Sequence, residues 1–162
     1  MSSSAGSGVR SITLYLLAVL LLSACGHEPV RRLPGSYSQT PDEGEQAAIV
    51  AIAQVGVPYR YGGSTTKGFD CSGLVQYAWS HAGTRIPRTT GAQWQSLAPV
   101  NDRDLRPGDI LFFRIDGSIS HVGLYVGDGQ FVHAPSSGRE VSLASLSARF
   151  YRDAFIRGGR PD

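Results

Sequence analysis

The sequence predicts an α+β fold, with helices in the first part of the folded region and an antiparallel sheet in the second. Up to about residue 97, apolar residues recur at helical spacing behind capping residues. After Pro99, short β-branched and aromatic runs alternate with glycine-containing turns, which is typical of hairpin-linked strands. With 162 residues, of which 41% are apolar and 17% charged, the chain is long enough for one globular domain.

The first 24 residues are predicted to be a signal peptide. Their apolar run, residues 12–22, is too short to cross a bilayer, which takes ~20 residues, but suits the hydrophobic region of an export signal. The following Leu22-Ser23-Ala24-Cys25 resembles the lipobox of bacterial lipoproteins, in which the cysteine is acylated and becomes the new N-terminus. We therefore expect a lipidated Cys25, a flexible tether over residues 25–39 and a folded domain over 40–162. An ordinary secretory cleavage site is the alternative.

Charge and cysteine content exclude several classes of protein. The 15 Lys and Arg residues are scattered against 13 Asp and Glu residues, without the concentrated basic patch that nucleic-acid binding requires. Two cysteines, Cys25 and Cys71, are too few for a disulfide scaffold or an all-cysteine zinc site. If Cys25 carries lipid, Cys71 is the only free thiol.

Three helices are predicted from capping patterns. A capping box of Thr40 and Glu43 begins the first, a box of Thr90 and Gln93 begins the third, and Gly83 suits the position just after the second. We expect these helices at residues 40–54, 70–81 and 90–97.

Two histidines lie on predicted strands that form a hairpin. A two-residue turn would place His121 and His133 on opposite faces, whereas a three-residue loop pairs residue 126 with 130 and places both on one face. We expect the three-residue loop, with Gly129 in the left-handed conformation and Gly123 leaving room for the His133 ring. The strands are expected at residues 110–113, 121–126, 130–134, 140–143 and 154–157, while residues 144–151 are ambiguous.

Cys71 has the local setting of a nucleophile. Asp70 is a good N-cap, so Cys71 lies in the first helical turn, where unpaired N–H groups and the helix dipole favour a thiolate. A buried structural cysteine is the alternative. His121 and His133, placed on one face, supply a base and a group that orients it.

Five motifs, in this order and spacing, resemble those of the NlpC family of bacterial cell-wall peptidases, which have a papain-like fold. They are Pro58-Tyr59-Arg60-Tyr61-Gly62-Gly63, Phe69-Asp70-Cys71-Ser72-Gly73-Leu74-Val75, Arg106-Pro107-Gly108-Asp109-Ile110-Leu111-Phe112-Phe113, His121-Val122-Gly123-Leu124-Tyr125 and Phe131-Val132-His133-Ala134. The resemblance implies a nucleophile-bearing helix packed on a five- to six-stranded antiparallel sheet.

The resemblance also implies roles for individual residues. Cys71 would be the nucleophile, His121 the base and His133 the residue that orients His121. Tyr59 would stabilise the oxyanion or contact substrate, and no metal or cofactor is implied. The substrate groove is further expected to include Asp70, Ser72 and Arg88.

The implied function is hydrolysis of an amide in peptidoglycan stem peptides, on the amino side of a diamino acid. Both the D-Glu(γ)–diaminopimelate bond and the D-Ala–diaminopimelate crosslink fit. We expect a monomer anchored to the bilayer through Cys25, and Gly26 after the cysteine favours the periplasmic face of the outer membrane. A catalytically inactive lipoprotein that binds wall peptides and a Cys/His/His zinc site are the alternatives.

Overall fold

The computed structural model describes residues 40–161, so the predicted signal peptide, Cys25 and the tether lie outside the described residues. Its four α-helices are α1 (Glu43–Ile52), α2 (Cys71–Ala82), α3 (Thr90–Ser96) and α4 (Arg149–Ala154), with a 3-10 turn at Asp102–Asp104. Its strands are β1 (Ser64–Thr65), β2 (Gly68–Phe69), β3 (Ala98–Val100), β4 (Ile110–Ile115), β5 (Ser118–Gly127), β6 (Gln130–His133), β7 (Ser142–Ser145) and β8 (Phe155–Arg160).

A six-stranded antiparallel sheet dominates the fold, in the order β3-β8-β4-β5-β6-β7. Strands β1 and β2 form a separate two-stranded ribbon just before α2. The predicted α+β class and the antiparallel sheet are therefore confirmed. None of the helices within residues 40–161 is both long and apolar enough to cross a bilayer.

Both faces of the sheet are buried, because strand residues alternate between two apolar clusters. Helices α1 and α2 cover one face, where α2 packs Leu74 and Ala78 against strand residues such as Val122. The other face carries Phe113 and Phe131 under α4. The two histidines lie on this second face, beside its aromatic rings.

The predicted helices occur, with corrections at two N-termini. Asp42, not Thr40, caps α1, accepting from the Glu45 N–H at 2.8 Å while the Glu45 side chain bonds back to Asp42. Two capping boxes overlap in this sequence, and aspartate is the stronger N-cap of the two candidates. The α2 prediction is confirmed, including Gly83 in the left-handed conformation.

The N-cap predicted for the third helix was also wrong by one residue. Thr89 caps α3 by accepting from the Ala92 N–H at 3.4 Å. Thr90 instead lies 3.9 Å, oxygen to sulfur, from Cys71. The predicted box partner Gln93 is fully buried and donates to backbone oxygens, because α3 packs against the start of α2.

The hairpin register prediction is confirmed, but the predicted loop was wrong. Leu124 pairs with Val132, the register that a pairing of 126 with 130 requires. The chain reaches this register through a two-residue turn at Asp128 and Gly129, both with positive φ, and a bulge between Tyr125 and Gly127. The bulge supplies the extra residue that keeps both histidines on one face.

The space at Gly123 has a different occupant from the one expected. A Cβ there would lie 2.5 Å from Cδ2 of Phe131, so the Phe131 ring fills it rather than the ring of His133.

The remaining predicted strands are all present, but their observed bounds differ from the predicted ones. Strand β7 begins at Ser142 rather than at residue 140, and β8 continues to Arg160. The ambiguous segment 144–151 contains the end of β7 and the start of α4.

Candidate active site

Cys71 is the first residue of α2, and its main chain is held by neighbouring groups. Asp70 caps the helix, its Oδ1 accepting the Gly73 N–H at 2.7 Å. Position 73 has no room for a side chain, since a Cβ there would clash with the Gly63 carbonyl oxygen. Within residues 40–161 the Cys71 N–H makes no hydrogen bond, so it is available to a substrate oxygen.

The thiol environment corrects the expectation of a favoured thiolate. Burial raises the pKa of Cys71 above its ordinary value, and the charge of Asp70 adds to the increase. The Val122 N–H and the Thr90 hydroxyl oppose this shift without cancelling it. Desolvation therefore outweighs the helix N-terminus, and the resting group is a neutral thiol at neutral pH.

His121 and His133 form a hydrogen-bonded pair. His121 Nε2 lies 2.8 Å from His133 Nδ1, and the rings meet edge to face at 80°. Burial lowers the pKa of His121 to about 4. Burial, followed by the charges of His121 and Arg139, lowers the pKa of His133 to about 3. Both imidazoles are therefore neutral at neutral pH and share one proton across their contact.

The pairing determines which nitrogen of His121 remains free. Nε2 is committed to His133, so Nδ1 is the atom that can take a proton from a nucleophile. The backbone N–H of Val122, the next residue, lies against the sulfur of Cys71. The start of α2 therefore contacts β5 at the residue that follows His121.

Tyr151 extends this cluster and was missed by sequence reasoning. Its hydroxyl lies 3.3 Å from His133 Nε2, the ring nitrogen that faces away from His121. It comes from α4, inside the ambiguous segment, and no motif or periodicity marks it. Only the packing of α4 over the sheet brings it to the histidines.

Asp70, Ser72 and Arg88 are connected to one another. Arg88 pairs with both oxygens of Asp70, at 2.9 and 2.7 Å, and also bonds Ser72 Oγ and the Gly63 carbonyl. Asp70 accepts further bonds from the N–H groups of Gly62 and Gly73 and from the Ser72 hydroxyl. Five donors on one carboxylate exhaust its roughly four lone-pair sites.

The network also sets the charge state of Asp70. Burial alone raises the pKa of Asp70, but the bonds and charge of Arg88 and the Gly73 N–H outweigh it, so the net pKa lies below its ordinary value. The structure therefore shows Asp70, Ser72 and Arg88, the predicted groove residues, holding the loop before α2 in place. Their contact with substrate stays a prediction.

An open cleft runs over the sulfur. Tyr59 is half-buried on its wall, and burial, followed by the charges of Cys71 and Asp70, raises the pKa of its hydroxyl. His121 is 6% exposed and lies beneath the surface. The lining residues are Tyr59, Tyr61, Gly62, Asp70, Cys71, Ser72, Arg88, Thr89, Thr90, Gly91 and Ser120.

The zinc alternative finds no support in the geometry. Among the described residues, no three His, Cys, Asp or Glu side chains are arranged to hold a metal ion. Two nitrogens that would have to ligate, His121 Nε2 and His133 Nδ1, are instead bonded to each other.

Comparison with known families agrees with this arrangement. Residues 56–160 match the model of the NlpC/P60 family. The chain belongs to the NlpC/P60 family. A curated relative, the murein DD-endopeptidase MepH of Escherichia coli K12, is 42% identical over 115 residues, covering 67% of this chain and 42% of MepH. The chain spans less than half the length of the curated relatives it matches.

Solved structures of the NlpC/P60 family share the fold. An NlpC/P60 family protein from Bacillus cereus ATCC 10987 is 32% identical with a TM-score of 0.67, covering 72% of this chain and 39% of that one. The NlpC/P60 domain of the peptidoglycan hydrolase SagA is 29% identical with a TM-score of 0.64, covering 73% of this chain and 98% of that one. The resemblance that the motifs indicate is therefore confirmed.

Proposed function

We propose that this chain is a cysteine-type peptidoglycan endopeptidase that cuts the D-Ala–diaminopimelate crosslink between stem peptides. The observation that carries the proposal is a thiol at a helix N-terminus that lines an open cleft and contacts Val122, the neighbour of His121 in a neutral, hydrogen-bonded histidine pair. The names of MepH and SagA, a murein endopeptidase and a peptidoglycan hydrolase, support the same substrate class.

The proposed reaction is acyl transfer to water. Before the reaction, the Cys71 thiol and the His121 imidazole are both neutral. As Cys71 Sγ attacks the scissile carbonyl, the thiol proton therefore passes to His121 Nδ1. The oxyanion accepts hydrogen bonds from the Cys71 N–H and the Tyr59 hydroxyl. His121 then protonates the leaving amine, and later activates the water that releases the acyl group from sulfur.

The state of Asp70 favours an internal bond over one next to a free stem terminus. Selection of a terminal ammonium requires an available carboxylate in the groove. Asp70 is the one acidic residue lining the described cleft, and its oxygens are already occupied by five donors. A crosslink between D-centres also agrees with the printed name of MepH.

Digestion of defined muropeptides by the full chain tests the bond. We expect crosslinked dimers to disappear while tetrapeptide monomers remain intact, with Cys71→Ser as the inactive control. Release of a dipeptide from monomers would show instead that the D-Glu(γ)–diaminopimelate bond is cut. Binding to peptidoglycan without any cleavage would favour the inactive lipoprotein.

We further propose that acylation of Cys25 anchors the protein to the periplasmic face of the outer membrane. The support is the motif Leu22-Ser23-Ala24-Cys25 followed by Gly26. Two acyl chains anchor a protein stably, whereas one chain binds reversibly. Fractionation of cells fed labelled palmitate should place label and protein in the outer membrane, and Cys25→Ala should remove both. An unlabelled, soluble wild-type protein would contradict the proposal.

A further inference from the structure

We propose that Tyr151 is a positioning residue that selects the tautomers of His133 and His121 by accepting a hydrogen bond from His133 Nε2–H. Its catalytic consequence rests on the function proposed above, whereas the tautomers themselves can be measured without substrate.

Packing aims the Tyr151 hydroxyl at one atom. The Tyr151 ring meets the rings of Phe131 and His133 edge to face, at 84° and 87°, and lies 5.6 Å from the Phe113 ring. Both phenylalanines are fully buried, so the tyrosine ring packs against side chains that are themselves held in place. Its oxygen then lies 3.3 Å from His133 Nε2.

The two histidines leave only two arrangements of protons. In one, His133 carries its proton on Nε2 and accepts at Nδ1 from His121 Nε2–H, so His121 Nδ1 keeps a lone pair. In the other, His133 donates from Nδ1, and His121 must carry its own proton on Nδ1. Only the first arrangement leaves a base for the thiol of Cys71.

Tyr151 favours the productive arrangement. A tyrosine oxygen accepts from His133 Nε2–H most readily when its own proton has another acceptor. Tyr151 is only partly buried and lines an open pocket together with Arg139 and Ser142, so water can accept that proton. The unproductive arrangement would leave an N–H instead of a lone pair on His121 Nδ1, the atom that acts as the base in the proposed mechanism.

The charged and titratable groups around His133 agree with a neutral ring. His121 on β5 and Arg139 on the loop after β6 both disfavour an imidazolium at His133. Tyr151 on α4 therefore meets a neutral partner, and the choice between tautomers is left to hydrogen bonding.

The test compares wild type with Tyr151→Phe, which removes the hydroxyl and keeps the ring. Long-range ¹H–¹⁵N correlation spectra at pH 7 report which ring nitrogens carry protons. We expect Nε2–H on both His133 and His121 in wild type, and a mixture of tautomers in Tyr151→Phe. Nδ1–H on His133 in wild type, or unchanged tautomers in the variant, would overturn the proposal.

Kinetics on crosslinked muropeptides supply the second measurement. Tyr151→Phe should lower kcat at least about 10-fold with little change in KM, because a wrong tautomer removes the base without touching substrate. Arg149→Lys, at an exposed position on the same helix, should leave both constants unchanged. If wild type cleaves no muropeptide, the proposed function fails, while the spectra still decide the tautomer assignment.

Discussion

Two local effects act against each other at Cys71. N–H groups from Val122 and Ser72 favour the thiolate, whereas burial favours the thiol and prevails. In the proposed mechanism, Cys71 therefore depends on His121 to remove its proton during the attack. Such a cysteine differs from a preformed thiolate, which needs no base at that step.

Replacing Cys71 by serine should abolish hydrolysis and leave the fold intact. Serine occupies no more volume, but its hydroxyl is far harder to ionise, so we expect kcat/KM to fall at least about 10³-fold. Hydrolysis of crosslinked muropeptides and thermal unfolding are the measurements. Ser80→Ala, on the exposed side of the same helix, is the control. Retained turnover with an unchanged melting curve would rule out the thiol mechanism.

Arg88→Lys should lower both stability and activity. A lysine cannot reproduce the two parallel bonds to Asp70 and the bonds to Ser72 and the Gly63 carbonyl. We expect a loss of about 1–3 kcal/mol in the free energy of unfolding, measured by denaturant titration.

A surface pair provides the comparison for Arg88. Arg149→Lys alters the ion pair of Arg149 with Asp153. The two side chains are 89% and 59% exposed, so the substitution should hardly change stability. Equal effects of the two substitutions would show that the partly buried network around Asp70 has no special role.

At the scale of elements, the N-terminus of α1 distinguishes two overlapping capping boxes. The structure uses Asp42 with Glu45, so Asp42→Ala should cost about 1 kcal/mol of stability. Thr40→Ala should cost almost nothing, because Thr40 lies before the cap. Chemical denaturation of both variants decides the matter, and a larger loss at Thr40 would place the cap there.

The β5–β6 hairpin shows how parity constrains a site. His121 and His133 share a face only if the residue opposite His133 is an even number of positions from His121. A two-residue turn alone would make that number odd, and the bulge after Tyr125 makes it even again. The placement of both histidines on one face thus determines the register, while different combinations of turn and bulge can satisfy it. For this reason the register could be predicted and the turn could not.

At the scale of the whole molecule, the buried histidine pair links stability to pH. His121 and His133 have folded pKa values of about 4 and about 3, below the ordinary 6.5. Between the folded pKa values and 6.5, the unfolded chain binds protons that the folded histidines do not, so the contribution of the pair to stability should fall as pH drops below about 6.5 and be fully lost near pH 3. For His121 alone the full loss is on the order of 3 kcal/mol.

Unfolding measured by urea between pH 7 and pH 4 should show this slope. His133→Asn removes one of the two buried titrating groups and should flatten it. Ser80→Ala changes an exposed residue that does not titrate and should leave the slope unaltered. A slope that persists unchanged in His133→Asn would indicate that other groups govern the acid limb.

Short-range patterns in the sequence by themselves determined much of this protein. The N-cap at Asp70, the glycine after α2 and the parity of the two histidines depend on neighbours within a few residues along the chain. The order of the motifs that contain Cys71, His121 and His133 likewise indicated the family of the chain and its fold. Local sequence suffices for such features because the interactions that produce them are themselves local.

Only the tertiary structure decided the chemical state of the site. The neutral thiol and the neutral imidazoles follow from desolvation, which depends on segments brought together from distant parts of the chain. Arg88 reaches Asp70 across 18 residues, and Tyr151 reaches His133 across another 18. Burial and such long-range contacts exist only once helices and sheet have packed, and no local pattern in the sequence encodes them.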